Sequence, residues 1–263
     1  MSVMNEIEAP LVETQREGAV LTVTMNRPAQ FNALSEALMD ALDAELRAAG
    51  ADESLRVVVL AAKGKAFCAG HDLREMRAEP GLDYYRTLFA RCSQLMMTIQ
   101  RMPQPVIARV QGVATAAGCQ LVAMCDLAVA ADTARFAVSG VNLGLFCSTP
   151  SVALSRNVPR KQAFEMLVTG EFIDAASALE RGLVNRVVAP ERLDAEIAAI
   201  AASICAKPRE AIAIGKDLFY RQAEMGIDGA YQLAGNTMAC NMMEASALEG
   251  VQAFIEKRPP NWA

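Results

Sequence analysis

The feature that most constrains this chain is a change of periodicity near residue 190. Before it, short β-rich runs alternate with helical patterns; after it, every segment reads as helix. Strand-like runs lie at 20–26 (VLTVTMN), 55–62 (LRVVVLAA), 105–112 (PVIARVQG) and 126–131 (DLAVAA). The run at 55–62 is almost wholly apolar, as expected of a strand covered on both faces. Between the strands, Ser35 precedes EALMDALDAELRAAG, with Leu38, Leu42 and Leu46 on one face. That pattern predicts a helix capped by the serine and closed by Gly50. A second helix is predicted over 84–102, stopped by Pro103 and Pro105. Strand–helix alternation of this kind builds parallel βαβ units, so the fold class is α/β. The segments 191–208, 209–225 and 229–257 are helical by pattern, and no internal repeat is visible.

Composition narrows the function. With 53% hydrophobic residues the chain can bury a sizeable core, and a net charge of −5 argues against a nucleic-acid partner. No apolar run reaches the ~18 residues of a membrane span, so no membrane partner is expected. The acidic N-terminal stretch MSVMNEIEAPLVET has no apolar leader region. A cytoplasmic location is expected, and the mature form of a mitochondrial matrix protein is not excluded. The seven cysteines are odd in number, form no C-x-x-C pair and read as free thiols in a reducing compartment. The single histidine, His71, rules out a His-rich metal site, and no metal is expected. The glycine signatures of dinucleotide and P-loop folds are absent, as is a G-x-S-x-G elbow.

Two segments share a design of strand, small-residue turn and helix start: AFCAGHDL (66–73) and GVATAAGCQL (112–121). A helix N-terminus presents unpaired N–H groups, and small residues let a ligand approach them. Two such N–H groups converging on one carbonyl oxygen would form an oxyanion hole. Close packing at a strand–helix junction accounts for the same small residues equally well. Asp126, which follows a helix directly, reads as a turn residue.

Six stretches occur in order: NRPAQFNAL (26–34), KAFCAGHDLREM (65–76), GVATAAGCQLVAMCDLAVA (112–130), FAVSGVNLGL (136–145), GEFIDAASALERGLVNRVV (170–188) and EGVQAFIEKRPPNW (249–262). Together they resemble the crotonase superfamily, the enoyl-CoA hydratase/isomerase family, and within it a hydratase domain-containing subgroup. The resemblance implies a spiral of repeated ββα turns over 1–200 carrying an acyl-CoA site, then a helical trimerisation region over 201–263 that also covers the CoA. It implies a homotrimer or a dimer of trimers, an acyl-CoA thioester as substrate or ligand, and no separate cofactor. The thioester carbonyl would lie between the backbone N–H groups of His71 and Ala117. CoA contacts would come from Arg27, from Ala66, Phe67, Ala69 and Gly70, from Asp72, Leu73 and Gly118, and from Phe254 and Lys257 reaching across from the C-terminal region.

The sequence departs from that family at the two positions where its hydratases carry glutamates: Gln120 and Gly140 stand there. Adding water across a double bond needs a base and an acid, and such groups contribute about 10²–10⁴-fold each. An amide has no proton to exchange at neutral pH, and glycine has no side chain. Ser148, at a position where some relatives carry an aspartate, is a poor base alone. The His71 imidazole is either a proton carrier or structural, and the Cys119 thiol is either near the site or buried. Ordinary hydration is therefore in doubt. The alternatives are an enzyme with another proton carrier, a non-catalytic acyl-CoA-binding or regulatory subunit, and a scaffold with a vestigial pocket.

Overall fold

A computed structural model describes residues 9–262. The first eight residues of the acidic N-terminal stretch lie outside the described residues. A six-stranded sheet holds β1 (Val12–Glu17), β2 (Val20–Met25), β3 (Val57–Ala62), β5 (Val106–Val110), β7 (Leu127–Ala131) and β10 (Arg186–Val188), in the order β1-β2-β3-β5-β7-β10. Only β1 is antiparallel to its neighbour; the other pairings are parallel. A second sheet runs β4 (Ala66–Cys68), β6 (Val113–Thr115), β8 (Arg135–Ala137), β9 (Ile173–Asp174). Each turn of the chain gives one strand to the first sheet, the next to the second, and then helix: β3, β4, then α2 (Leu73–Ala78) and α3 (Leu82–Arg101); β5, β6, then α4 (Ala117–Met124). β7 and β8 repeat the step before α5 (Ser148–Asn157) and α6 (Arg160–Thr169). This is the repeated ββα spiral of the crotonase fold. The repeat lies in the backbone path and not in the residues, which is why the sequence shows none.

β3 explains its own composition. Val58, Leu60 and Ala62 face the main core with α1 (Glu36–Ala51), α3 and α4, while Val57 and Val59 face a smaller core under α8 (Leu193–Cys205). A strand with period two and apolar cover on both sides has no position for a polar residue. On α1 the Ser35 side chain accepts from the Leu38 amide, as the cap signature requires, and Leu38, Leu42 and Leu46 are fully buried. Gly50 does not end that helix, which continues to Ala51. The glycine lies against the end of α3, where a Cβ built at position 50 would make ordinary contact with Met102 Cβ at 3.4 Å.

The C-terminal region is helical: α8, α9 (Arg209–Ala223), α10 (Ile227–Asn241) and α11 (Ala245–Ile255). The helical pattern over 229–257 is broken at Met242–Glu244 into two helices. Position 200 falls inside α8, which packs on the six-stranded sheet through Leu193, Ile197, Ile200 and Ala201. Asp126 is more than a turn residue. Its carboxylate accepts from Lys216 Nζ (2.7 Å) and Tyr220 (2.8 Å) of α9 and from the Val106 amide (2.6 Å), tying α9 to the sheet.

Candidate active site

The two small-residue loops lie against each other. After β4 the chain turns at Gly70, whose φ of +93° is one that side chains rarely adopt. A Cβ at Gly70 would lie 2.9 Å from Ala116 Cβ and 3.4 Å from Ala117 N, so the second loop begins where the first bends. Ala116 is itself strained, at φ 51° and ψ −120°, and α4 starts immediately after it. Gly118 lets α4 seat on β4, since a Cβ there would meet Cys68 O at 2.1 Å. Close packing is thus the role of Gly118, while Gly70 and Ala116 aim the two loops.

The amides of interest are turned outward from these supports. Leu34 N donates to Gly70 O (2.7 Å) and Asp72 N donates to Leu34 O (3.0 Å). In a parallel bridge of this kind the residue between, His71, points its own N–H to the other side. Ala117 is the first residue of α4 and has no intrahelical acceptor. Among the described residues neither N–H has a hydrogen-bond partner, and both residues line one cavity of about 370 Å³. The loop 26–34 braces the arrangement. Asn32, fully buried, donates to Lys63 O and Ala66 O and accepts from Arg27 N.

The rest of the cavity is mainly apolar. α2 and α3 contribute Leu73, Met76, Tyr85 and Phe89; the segment 139–150 contributes the opposite wall, including Leu143, Leu145 and Phe146. Among the described residues no Asp, Glu, Lys or Arg lines it. His71 is its titratable base, and burial lowers that imidazole to about 4, so the ring is neutral at physiological pH. The ring packs edge-on against Phe89 at 5.4 Å, and Nε2 is sealed without a partner. Cys147 also lines the cavity, with its thiol raised by burial. Cys119 is fully buried, does not line the cavity, and is pushed up to about 12 by desolvation, which settles it as a structural thiol.

The structure divides the other expected site residues. Ala69, His71, Leu73, Ala117, Gly140 and Ser148 line the cavity. Ala66 and Phe67 are core residues of β4. Gln120 lies on α4, 5% exposed, away from the lining, with Oε1 unpartnered. Arg27 does not reach the cavity: its guanidinium bonds Ala33 O (2.7 Å) and Asp72 Oδ2 (3.1 Å). Burial works to raise the Asp72 carboxyl, but Arg27 and the amides of Glu75 and Arg74 together hold it below its usual range. Asp72 also caps α2. Phe254, 84% exposed on α11, and Lys257 lie outside the lining in this protomer. Sequence reasoning missed Ser139, Cys147 and the apolar trio Leu143, Leu145 and Phe146. The only available signal was the run of large apolar residues in a loop.

A ββα spiral that feeds a six-stranded and a four-stranded sheet in turn, with two unpartnered amides at one cavity, defines a crotonase-type protein. Residues 15–263 match the family model for enoyl-CoA hydratase/isomerase, and the chain belongs to that family of enzymes. It is 47% identical to enoyl-CoA hydratase domain-containing protein 3, mitochondrial, of Xenopus laevis, over 96% of this chain and 86% of the relative. Its fold is similar to a crystal structure of an enoyl-CoA hydratase from Mycobacterium smegmatis (TM-score 0.95, 66% identity, 97% and 99% of the two chains). It is also similar to that of human enoyl Coenzyme A hydratase domain-containing protein 3 (TM-score 0.93, 43% identity, 96% and 100%).

Proposed function

We propose that this chain binds an acyl-CoA thioester and polarises its carbonyl between the N–H groups of His71 and Ala117, with enolate character as the shared chemical step. The observation that carries this reading is a pair of unpartnered amides, held by strained and glycine-dependent loops, on two residues that line one carboxylate-free cavity. Donors fixed in place before the reaction need no reorganisation when charge develops, and one such donor is worth about 3–4 kcal/mol in other enzymes. No cofactor is needed, because the thioester carries its own activation. Arg27 and the 66–70 backbone are assigned to the nucleotide end of the CoA. Phe254 and Lys257 are assigned to a neighbouring subunit's CoA.

Turnover would need a proton carrier other than these two positions, since Gln120 is not among the lining residues and Gly140 has no side chain. A non-catalytic acyl-CoA-binding or regulatory subunit is the second reading, favoured by the neutral His71 as the only imidazole present. Purified protein assayed for hydration of a short-chain enoyl-CoA, with calorimetric binding of the saturated thioester in parallel, separates the two. Binding with turnover supports the enzyme, and binding without turnover supports the regulatory subunit. Absence of binding overturns both. All seven cysteines are free, consistent with a reducing compartment such as cytoplasm or matrix.

A further inference from the structure

We infer that the cavity selects an uncharged aliphatic acyl chain and rejects chains that end in a carboxylate, and that the 139–147 loop sets this choice. The inference deepens the proposed function and rests on its thioester reading. Four large apolar side chains line the cavity while staying half exposed: Leu73 (51%), Leu143 (63%), Leu145 (52%) and Phe146 (49%). A side chain that is both cavity-lining and exposed stands at a mouth. Several together form an apolar patch of the kind that marks a binding site. Met76 and Phe89 continue the apolar wall inward, toward the amides of His71 and Ala117.

Three of the polar side chains on this surface already bond within the protein. Ser139 Oγ shares a hydrogen bond with Thr115 Oγ1 (2.8 Å), Ser148 donates to Phe146 O (3.3 Å), and Tyr85 donates to Met76 O (3.0 Å). Lys65 and Arg74, which flank the first loop in sequence, do not line the cavity, and Arg27 is held by Asp72 and the Ala33 carbonyl. A terminal carboxylate entering here would lose its hydration and meet no opposite charge, which is the costly case of charge burial. A methyl terminus would lose nothing and gain apolar contact.

Gly140 belongs to this device. Its N–H donates to Cys147 Sγ (3.2 Å), its carbonyl accepts from Leu145 N (3.0 Å), and Gly144 turns the chain at φ +78°. A Cβ at position 140 would stand 2.7 Å from Cys147 Sγ and 2.7 Å from Leu145 O. Glycine is therefore what allows the loop to close and present Leu143, Leu145 and Phe146 together. The position is the closure of a specificity loop and not merely the vacancy left by an acid.

Calorimetric titration of the intact protein with CoA, butanoyl-CoA, hexanoyl-CoA, octanoyl-CoA and the equally long thioester whose chain ends in a carboxylate tests this. Saturated chains make binding the readout, independent of turnover. Affinity is expected to rise about three- to fourfold per added methylene until the cavity is filled. The carboxylate-ended chain is expected to bind at least about 100-fold more weakly than octanoyl-CoA. Leu145→Lys is expected to weaken octanoyl-CoA and to improve the carboxylate-ended probe at least tenfold. Should that variant fail to fold, Leu143→Lys at the more exposed position makes the same comparison. Equal affinity for the two chain ends, or a series flat in length, overturns this inference and leaves the thioester reading standing. Failure of every thioester to bind overturns both.

Discussion

At position 140 the backbone leaves no room for a side chain, and that changes what a glutamate placed there would do. Gly140→Glu must displace Leu145 O, a backbone atom 2.7 Å from the new Cβ. Overpacking of this kind costs about 1–3 kcal/mol. Gln120→Glu is nearly isosteric, but its carboxyl would sit beside a buried, unpartnered atom position outside the cavity lining. Burial would keep it protonated. Neither substitution, alone or together, is expected to raise hydration of a short-chain enoyl-CoA by as much as tenfold, and Gly140→Glu is expected to lower the urea midpoint. A spectrophotometric hydration assay and urea unfolding of the same preparations check both. His71 supplies a second expectation at this scale. Its folded value of about 4 lies below the ordinary 6.5, so the unfolded chain takes up a proton that the folded one refuses. Stability from this group is present above pH 6.5 and is lost as pH falls from 6.5 toward 4. Between pH 6.5 and 5 the loss is about 1–2 kcal/mol. His71→Gln, which keeps the backbone N–H, is expected to flatten that part of the stability–pH curve by this amount, read by urea melts at each pH.

Among the elements, α9 is the one whose attachment rests on charge. Lys216, 8% exposed, sends Nζ to Ile99 O (2.8 Å), Gln104 O (2.9 Å) and Asp126 (2.7 Å), so one ammonium closes the end of α3, the turn after it and the start of β7. Desolvation lowers the lysine, and Asp126 works in the opposite direction. Breaking a buried pair strands the remaining charge and two carbonyls, at about 3–5 kcal/mol. Lys216→Met is expected to destabilise the protein by that order, seen as a lower urea midpoint, with hydrogen exchange rising first in α9. None of this was legible in the sequence, because Asp126 and Lys216 are 90 residues apart and no local pattern couples them. Elements specified locally were legible: α1 from its Ser35 cap and Leu38–Leu42–Leu46 spacing, and β3 from its two-faced apolar run. The three-residue strand β8 was not, because three residues carry too little alternation to register a period. In the site, the amide-bearing loops could be read from their small residues. The wall of Leu143, Leu145 and Phe146 could not, since an apolar residue in a loop does not announce which cavity it borders.

For the whole molecule, the decisive feature is how much apolar surface the C-terminal helices leave uncovered. No residue of α10 is buried, and Ile227 (78%), Tyr231 (75%) and Met238 (64%) stand on it in the open. On α11, Phe254 (84%) and Ile255 (66%) do the same. Exposed apolar side chains in such number along two helices mark an interaction surface, and a second copy of this chain is the occupant that the trimer or hexamer reading requires. The ββα core, by contrast, fills its own interior. Association should therefore depend on α10 and α11 and not on the cavity. Tyr231→Glu with Ile227→Glu is expected to shift the mass measured by light scattering from a trimer or its multiple to a monomer. An unchanged mass would place the contact elsewhere. If Phe254 and Lys257 complete a neighbour's CoA site, the same double variant should also weaken octanoyl-CoA binding at least tenfold, although both changes lie outside the cavity lining. Loss of assembly with undiminished affinity would show instead that each protomer holds its thioester alone, and Phe254 and Lys257 would drop out of the site.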